Sequence, residues 1–149
     1  MTATGHAVIG TVIAAKIGNP ALAVPIALAS HIAADMIPHW DLATNGGRKK
    51  GKRLIVESAL DVFLGFILSF VLVNLFFPKT DLLYVFFIVL IAQSFDWLMV
   101  PYYFLNIDLP PFNWAYRLQK KFDRELDKPW GIVTQTVLAS VILLIGMII

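Results

Sequence analysis

Residues 30–41 read Ser-His-Ile-Ala-Ala-Asp-Met-Ile-Pro-His-Trp-Asp, and they join an apolar helix to a polar loop. His31 and Asp35 are one helical turn apart, so both side chains project from the same helix face. A proline then ends the helix, and His39 and Asp41 follow it directly. Two histidines and two carboxylates this close together form a dense set of side chains that can ligate a metal.

The composition of the chain is that of an integral membrane protein. Of its 149 residues, 58% are hydrophobic and 15% are charged, and the mean hydropathy is +0.75. Soluble domains are roughly half apolar and a quarter charged. Because the chain contains no cysteine, disulfides and thiolate metal sites are excluded. We expect one membrane domain over 1–149, integral to the cell membrane, with no nucleic-acid partner.

The apolar runs predict an all-α fold with about five membrane helices, over roughly 4–17, 20–37, 54–77, 82–105 and 130–149. A further helix over roughly 112–126 is amphipathic and is expected to lie along the membrane surface. Thr4 is the expected N-cap of the first helix. Gly65 should allow another helix to approach the third one closely.

Lysine and arginine are concentrated in two connections, 39–53 and 106–129, which should therefore be cytoplasmic. With five crossings, the N-terminus is then cytoplasmic and the C-terminus is outside. The cations at the end of the first connection are Arg48, Lys49, Lys50, Lys52 and Arg53. We interpret these five residues as a signal of which side of the membrane the loop occupies. The alternative interpretation is that they attract anionic lipid or phosphate. Lys16 should extend to the outer surface.

This orientation places the ionisable side chains of the helices in one layer near the cytoplasmic side. Counting ~1.5 Å per residue, Glu57 and Asp61 lie roughly 6 and 12 Å from the inner end of their helix, and Asp96 lies roughly 13 Å in. His6 begins the first helix at the same side. Ionisable groups inside a membrane are costly and usually functional. The layer therefore predicts a single polar site that opens to the cytoplasm.

The residues of this site divide into two predicted roles. The predicted metal ligands are His6, His31, Asp35, His39 and Asp41. The predicted catalytic residues, which would complete the coordination or act as general base, are Glu57, Asp61 and Asp96. Nitrogen and oxygen donors without sulfur favour a divalent metal such as zinc or manganese, with iron also compatible, and the donors suffice for one or two ions.

Three short motifs carry a resemblance to a known family: Gly5-His6, Ser30-His31-x-x-x-Asp35 and Pro38-His39-Trp40-Asp41. They resemble the bacterial inner-membrane metal-dependent hydrolases, a family remotely related to zinc-dependent phospholipases C and zinc nucleases. The resemblance covers mainly the first ~65 residues, and the His-Arg-x-x-Thr-His segment of the longer members has no counterpart here. It implies a metal-dependent hydrolase that acts on a phosphoester at the cytoplasmic side, with membrane lipid as partner and a phosphoester or lipid as substrate.

Two other functions fit the same residues. Membrane acids and histidines also build the pathways of small metal-ion or proton-coupled transporters, although the outer half of the bundle is poor in polar residues and no inverted repeat is evident. In a non-enzymatic structural membrane protein, pairs such as His31 and Asp35 would only lock helix packing. The sequence indicates no oligomeric state.

Overall fold

The computed structural model describes residues 1–43 and 51–149, and it confirms the predicted all-α class. Seven helices lie in the described residues: α1 (Ala3–Lys16), α2 (Pro20–Asp35), α3 (Lys52–Phe76), α4 (Leu82–Ala92), α5 (Ser94–Leu105), α6 (Phe112–Phe122) and α7 (Trp130–Ile148). The described residues contain no β-strand, and His39 and Glu125 form an isolated β-bridge. The predicted basic residues Arg48, Lys49 and Lys50 lie outside the described residues.

Two helices, α3 and α7, are long and apolar enough to cross a membrane, and α4 with α5 makes a third crossing if this bent pair forms one span. Several large apolar side chains of α3 point outward, among them Leu60 and Phe63 at 55% and 62% exposure. Such a surface suits contact with lipid. In contrast, α1 and α2 have only 14 and 16 residues, short of the ~20 residues that span a bilayer alone.

The prediction of one continuous helix over 82–105 is wrong, because the helix breaks at Gln93 and its two parts differ in direction by 49°. The Gln93 backbone leaves the helical conformation at φ −96°, ψ 4°. Its fully buried side chain donates a hydrogen bond from Nε2 to the Ala3 carbonyl oxygen over 2.9 Å. The apolar run does not reveal this break, since the contact that accompanies it comes from the first helix of the chain.

The amphipathic helix was predicted to reach residue 126, but it ends at Phe122. Residues 123–126, which we call the strap, instead run beside the turn that follows α2. The strap is held there by hydrogen bonds from His39 N to Arg124 O (3.0 Å), from Leu126 N to His39 O (2.6 Å) and from Arg124 N to Asp35 O (3.0 Å). Backbone pairing with the turn replaces the last helical turn. The other helix boundaries lie within two residues of the predicted ones, which is the usual uncertainty at helix ends.

Helix α1 is the centre of the bundle, where it packs against α2, α3, α4 and α7. Most of its residues are buried, as expected of a helix that is apolar on all sides. Small residues make these contacts close: a Cβ added at Gly10 would lie 2.9 Å from Ala92 Cβ, and one added at Gly65 would lie 3.2 Å from Thr4 Cα. The close approach predicted at Gly65 is therefore confirmed, and its partner is α1.

Replacing Gly10 by leucine should destabilise the protein because the new side chain must displace the backbone of α4 at Val89 and the methyl group of Ala92. We expect a loss of about 1–3 kcal/mol, the usual cost of overpacking a core, measured as reduced thermal stability in detergent by circular dichroism. Gly18→Leu is the matched control, since an added Cβ at Gly18 meets no atom within 4 Å. Equal stability of the two variants would contradict this packing.

Candidate metal centre

Three histidines surround the buried carboxylate of Asp35 at one end of the bundle. His6 Nε2 lies 3.2 Å from Asp35 Oδ1, and His31 Nε2 lies 3.3 Å from Asp35 Oδ2. His39 Nε2 is 3.8 Å from Oδ1, which the amino group of Met1 also contacts. All three imidazoles are almost fully buried. The start of α1, the end of α2 and the turn after α2 thus bring together four of the five predicted metal ligands.

Hydrogen bonds to main-chain carbonyls orient two of the imidazole rings. His31 Nδ1 lies 2.7 Å from the oxygen of Ala92, the last residue of α4, and His39 Nδ1 lies 2.8 Å from the oxygen of Ile37. Because a carbonyl only accepts, Nδ1 must carry the hydrogen in both rings. In a neutral ring, Nε2 then presents a lone pair. Histidines that ligate metals are oriented by the same kind of second hydrogen bond.

The nitrogens oriented in this way face carboxylate oxygens. His31 Nε2 faces Asp35, and His39 Nε2 lies 3.1 Å from Oδ1 of Asp123. The Nε2 atoms of all three histidines are buried, and none makes a hydrogen bond of good geometry with a described residue. Two acceptors at such distances repel each other unless a cation lies between them. A proton on the imidazole or a shared metal ion would each supply that positive charge.

Stacking of His6 on His31 limits how far protonation can satisfy the cluster. The two ring centroids are 3.8 Å apart, and the ring planes differ by 10°. Two imidazolium ions at this separation in a buried site would repel each other. Neutral imidazoles do not, and neutral imidazole is the form that ligates metals. The stacked pair therefore fits metal ligation better than double protonation.

The potential ligand atoms fall into two groups. In each group, all the ligand atoms lie within 4.8 Å of one another. One group is His6, His31 and Asp96, and the other is His39, Asp41 and Asp123. Asp35 lies between the groups, since it contacts histidines of both. Nitrogen and oxygen donors in these numbers fit one or two ions of a metal such as zinc or manganese. Two divalent ions would balance the charges of the four carboxylates.

The electrostatics of the strap favour a charged Asp123. Burial opposes its ionisation, but the contact with His39 and the positive charge of the N-terminus together more than offset burial and lower the pKa of Asp123. Nearby, burial opposes the charge of Lys120, yet its 2.8 Å hydrogen bond to Glu125 and the charge of that residue raise the pKa of Lys120. The carboxylate of Asp123 is therefore ionised at neutral pH, as a metal ligand must be.

The carboxylate of Asp61, a residue of α3, contacts the start of α1 and accepts three hydrogen bonds there. It accepts from Ala3 N at 2.6 Å and from Thr4 N and Thr4 Oγ1 at 3.3 and 2.6 Å. The expectation that Thr4 is the N-cap is wrong: α1 begins one residue earlier, and Thr2 is the cap, which accepts from Gly5 N. Asp61 thus satisfies amide groups that have no partner within the helix.

The other predicted residues lie at different distances from the cluster. Asp96 Oδ1 is 3.9 Å from His31 Nε2, and Asp41 accepts from Ala43 N while standing within reach of His39. Asp41, Asp61 and Asp96 all line a cavity of about 540 Å³, which we call the cleft. Glu57 pairs with Arg53 over 2.8 Å on α3. The catalytic roles of Glu57, Asp61 and Asp96 stay predictions.

Two residues of the site escaped the sequence reasoning. The sequence analysis assigned no role in the site to Asp123 or to Gln119, which donates to Asp96 Oδ1 over 3.2 Å. Both belong to the segment interpreted as a surface helix. No spacing links Asp123 to His39, because the strap that joins them pairs backbone groups far apart in the chain.

No protein-family model, no curated protein and no solved structure matches this chain. The motif resemblance to the bacterial inner-membrane metal-dependent hydrolases therefore stays a prediction, and function must be argued from the geometry.

Replacing Asp61 by alanine should destabilise the fold, because the amides of Ala3 and Thr4 would lose their acceptor. We expect a loss of about 1–3 kcal/mol, measured by thermal unfolding in detergent. Thr4→Val removes a single hydroxyl donor and should cost less, about 0.5–1.5 kcal/mol. If Asp61→Ala retained full stability, its principal role would not be to hold α1.

Proposed function

We propose that this chain is a metal-dependent membrane hydrolase that acts on a phosphoester at the cytoplasmic side of the membrane. The observation that carries the proposal is the pairing of buried imidazole nitrogens with carboxylate oxygens, at 3.1–3.3 Å, without good hydrogen-bond geometry. A shared divalent cation resolves that conflict for several groups at once. The motif resemblance supports hydrolysis as the chemistry that such a centre would serve.

His6, His31 and Asp96 would hold one cation and His39, Asp41 and Asp123 a second, with Asp35 between the two groups. A bound divalent cation supplies Lewis-acid activation of water, whose pKa falls toward ~7. This ligand set draws on α1, α2, α5, the turn after α2 and the strap. The proposed centre would therefore also tie these elements together.

Hydrolysis joins the oxygen of a water molecule to phosphorus, breaks the bond between phosphorus and the ester oxygen, and passes a proton to the departing alcohol. Asp96 lies at the border between the cluster and the cleft, so its carboxylate would accept the proton of that water. Gln119 would keep the carboxylate oriented through its hydrogen bond. A phosphoester would approach through the cleft.

We also propose five crossings with the N-terminus in the cytoplasm and the C-terminus outside. This topology is supported by the contacts at the C-terminal end of α1. Tyr84 of α4 donates a 2.6 Å hydrogen bond to Ile17 O. Lys16 Nζ lies 5.2 Å from the Phe77 ring centroid. The end of α1 is thus level with the end of α3, while His6 is level with the cluster. Because α3, α4 and α7 pack around α1, a short helix can cross inside the bundle.

Purified protein should contain about one to two zinc or manganese ions per chain, measured by elemental analysis. His31→Ala and Asp35→Ala should each weaken metal binding at least tenfold, since even outer-shell changes cost about 10–100-fold. Hydrolysis of bis(p-nitrophenyl) phosphate should fall in parallel and should depend on added metal.

Asp81→Asn is the matched control, because Asp81 caps α4 at the opposite end of the bundle, where it accepts from Tyr84 N. This variant should keep the metal and the activity. A wild-type protein without divalent metal would overturn the proposal and leave protonated histidines as the charge partners of the carboxylates. Metal flux into liposomes without phosphoester turnover would identify a transporter instead.

The topology can be mapped with single cysteines, since the chain has none of its own. Gly18→Cys and Lys79→Cys should react with a membrane-impermeant maleimide from outside, whereas Leu109→Cys should react only after permeabilisation. Gly18 decides the number of crossings because it joins α1 to α2. Labelling of Gly18→Cys from the same side as Leu109→Cys would contradict five crossings.

A further inference from the structure

The histidine cluster is closed off from the cleft beside it. The three histidines and Asp35 are each only 1% exposed. Among the described residues, carboxylates line the cleft, but none of these four residues does. A metal site needs a path by which the ion enters. Because the described residues bury the Nε2 atom of each histidine, one of the surrounding elements must move before an ion reaches the cluster.

Helix α6 covers the cluster at the end of α2. It lies over His31 and Asp35, where a void of about 10 Å³ separates the two helices. A void of this size is at the lower limit for a single water molecule, and the atoms around it lose packing contacts. The border of the void includes Leu118, Gln119 and Phe122 from α6 and Ile32 from α2. The cover over the cluster is therefore incompletely packed.

The attachment of α6 to the bundle is local. It packs against α5 and, to a lesser extent, α2, and it contributes no residue to the described apolar core around α1. One side-chain hydrogen bond, from Gln119 to Asp96, joins it to α5. On either side, residues 106–111 and 123–129 lie outside the helices and can serve as hinges. Segments with few buried apolar contacts open at the lowest free energy.

We propose that α6 and the strap form a lid over the cluster, which lifts from α5 and α2 to admit a divalent ion and closes when Asp123 joins His39 in binding it. Opening breaks the three backbone hydrogen bonds that hold the strap, so it is a rare event. Lifting α6 also joins the cleft to the histidines, because part of the cleft wall is formed by Tyr116, Gln119 and Lys120. The proposal rests on the proposed function for the ion, whereas the movement of the lid does not.

Thiol labelling detects the lid without any metal, since the chain has no cysteine of its own. Ala115 lies on the buried side of α6 with 5% exposure. In the full-length protein in detergent, Ala115→Cys should react with a hydrophilic thiosulfonate at least tenfold faster than Ala34→Cys. This matched control is as buried, at 4%, but belongs to α2 and to the apolar core. Equal rates would mean that α6 opens only with the whole bundle, and would overturn the proposal.

A crosslink tests whether the ion passes the lid. Ile32 and Leu118 border the same void, so cysteines at both positions can join α2 to α6 by a disulfide. After zinc loading, the oxidised pair should release zinc to a chelator at least tenfold more slowly than the reduced pair. The matched control is Val12→Cys with Gly146→Cys, whose Cβ atoms lie 3.6 Å apart, within the range of about 3.5–4.5 Å for disulfides. Its oxidation should leave the rate unchanged, and equal release from the oxidised and reduced lid would refute the proposal.

A loosened lid should have the opposite effect, and this test needs no disulfide. The Tyr116 ring of α6 packs against Tyr102 and Tyr103 of α5, with ring centroids 4.9 and 6.0 Å apart. Tyr116→Ala should therefore speed zinc release at least threefold. Trp114→Ala is the control, because Trp114 lies on the same helix at 64% exposure and should leave the rate unchanged. Equal rates in the two folded variants would contradict a lid held at α5.

These measurements separate the lid from the proposed function. If the wild-type protein binds no zinc but Ala115→Cys reacts faster than Ala34→Cys, the metal-dependent function fails and the mobile cover stands, without an ion to admit. If zinc is bound and released equally from the locked and unlocked lid, the metal centre stands and the lid is refuted.

Discussion

Polar groups buried inside an apolar helical bundle must find partners, because water is not there to supply them. This constraint acts most strongly at the start of α1, where unpaired amides, three imidazoles and a carboxylate meet. Asp61 accepts from the first amides, Gln93 donates to the Ala3 carbonyl, and the Gln135 side chain accepts from Thr2 N. Asp61 belongs to α3, Gln93 to the break between α4 and α5, and Gln135 to α7. The hydrogen bonds that give the first residues of α1 their partners thus hold α3, the bent α4–α5 pair and α7 around α1.

The same constraint applies to the histidine cluster, whose buried Nε2 atoms also need partners. Main-chain carbonyls orient His31 and His39 so that Nε2 of each faces a carboxylate, an arrangement that needs positive charge between the two atoms. The Ala92 carbonyl that holds His31 belongs to the last residue of α4, where helical carbonyls lack partners. The break at Gln93 and the orientation of a candidate ligand are therefore parts of one local structure. The proposed centre and the cleft meet at Asp96, which lies just beyond that break.

Much of the secondary structure could be predicted because it depends on local properties of the chain. Long apolar runs, the prolines and the polar connections place most helix ends within two residues of those observed. The two clear failures have non-local causes. The helix over 82–105 breaks where Gln93 contacts α1, and the helix over 112–126 stops where the strap pairs with the turn after α2. Neither contact leaves a periodic pattern in the sequence.

For the site, the sequence by itself determined the candidate donors and the ones that share a helix face, since His31 and Asp35 are one turn apart. Tertiary structure alone decided which donors meet. It joined Asp96 and Asp123 to the histidines, assigned Asp61 to the end of α1 and paired Glu57 with Arg53. The physical reason is range: helix periodicity relates residues a few positions apart, whereas the meeting of distant segments depends on how buried main-chain groups find partners.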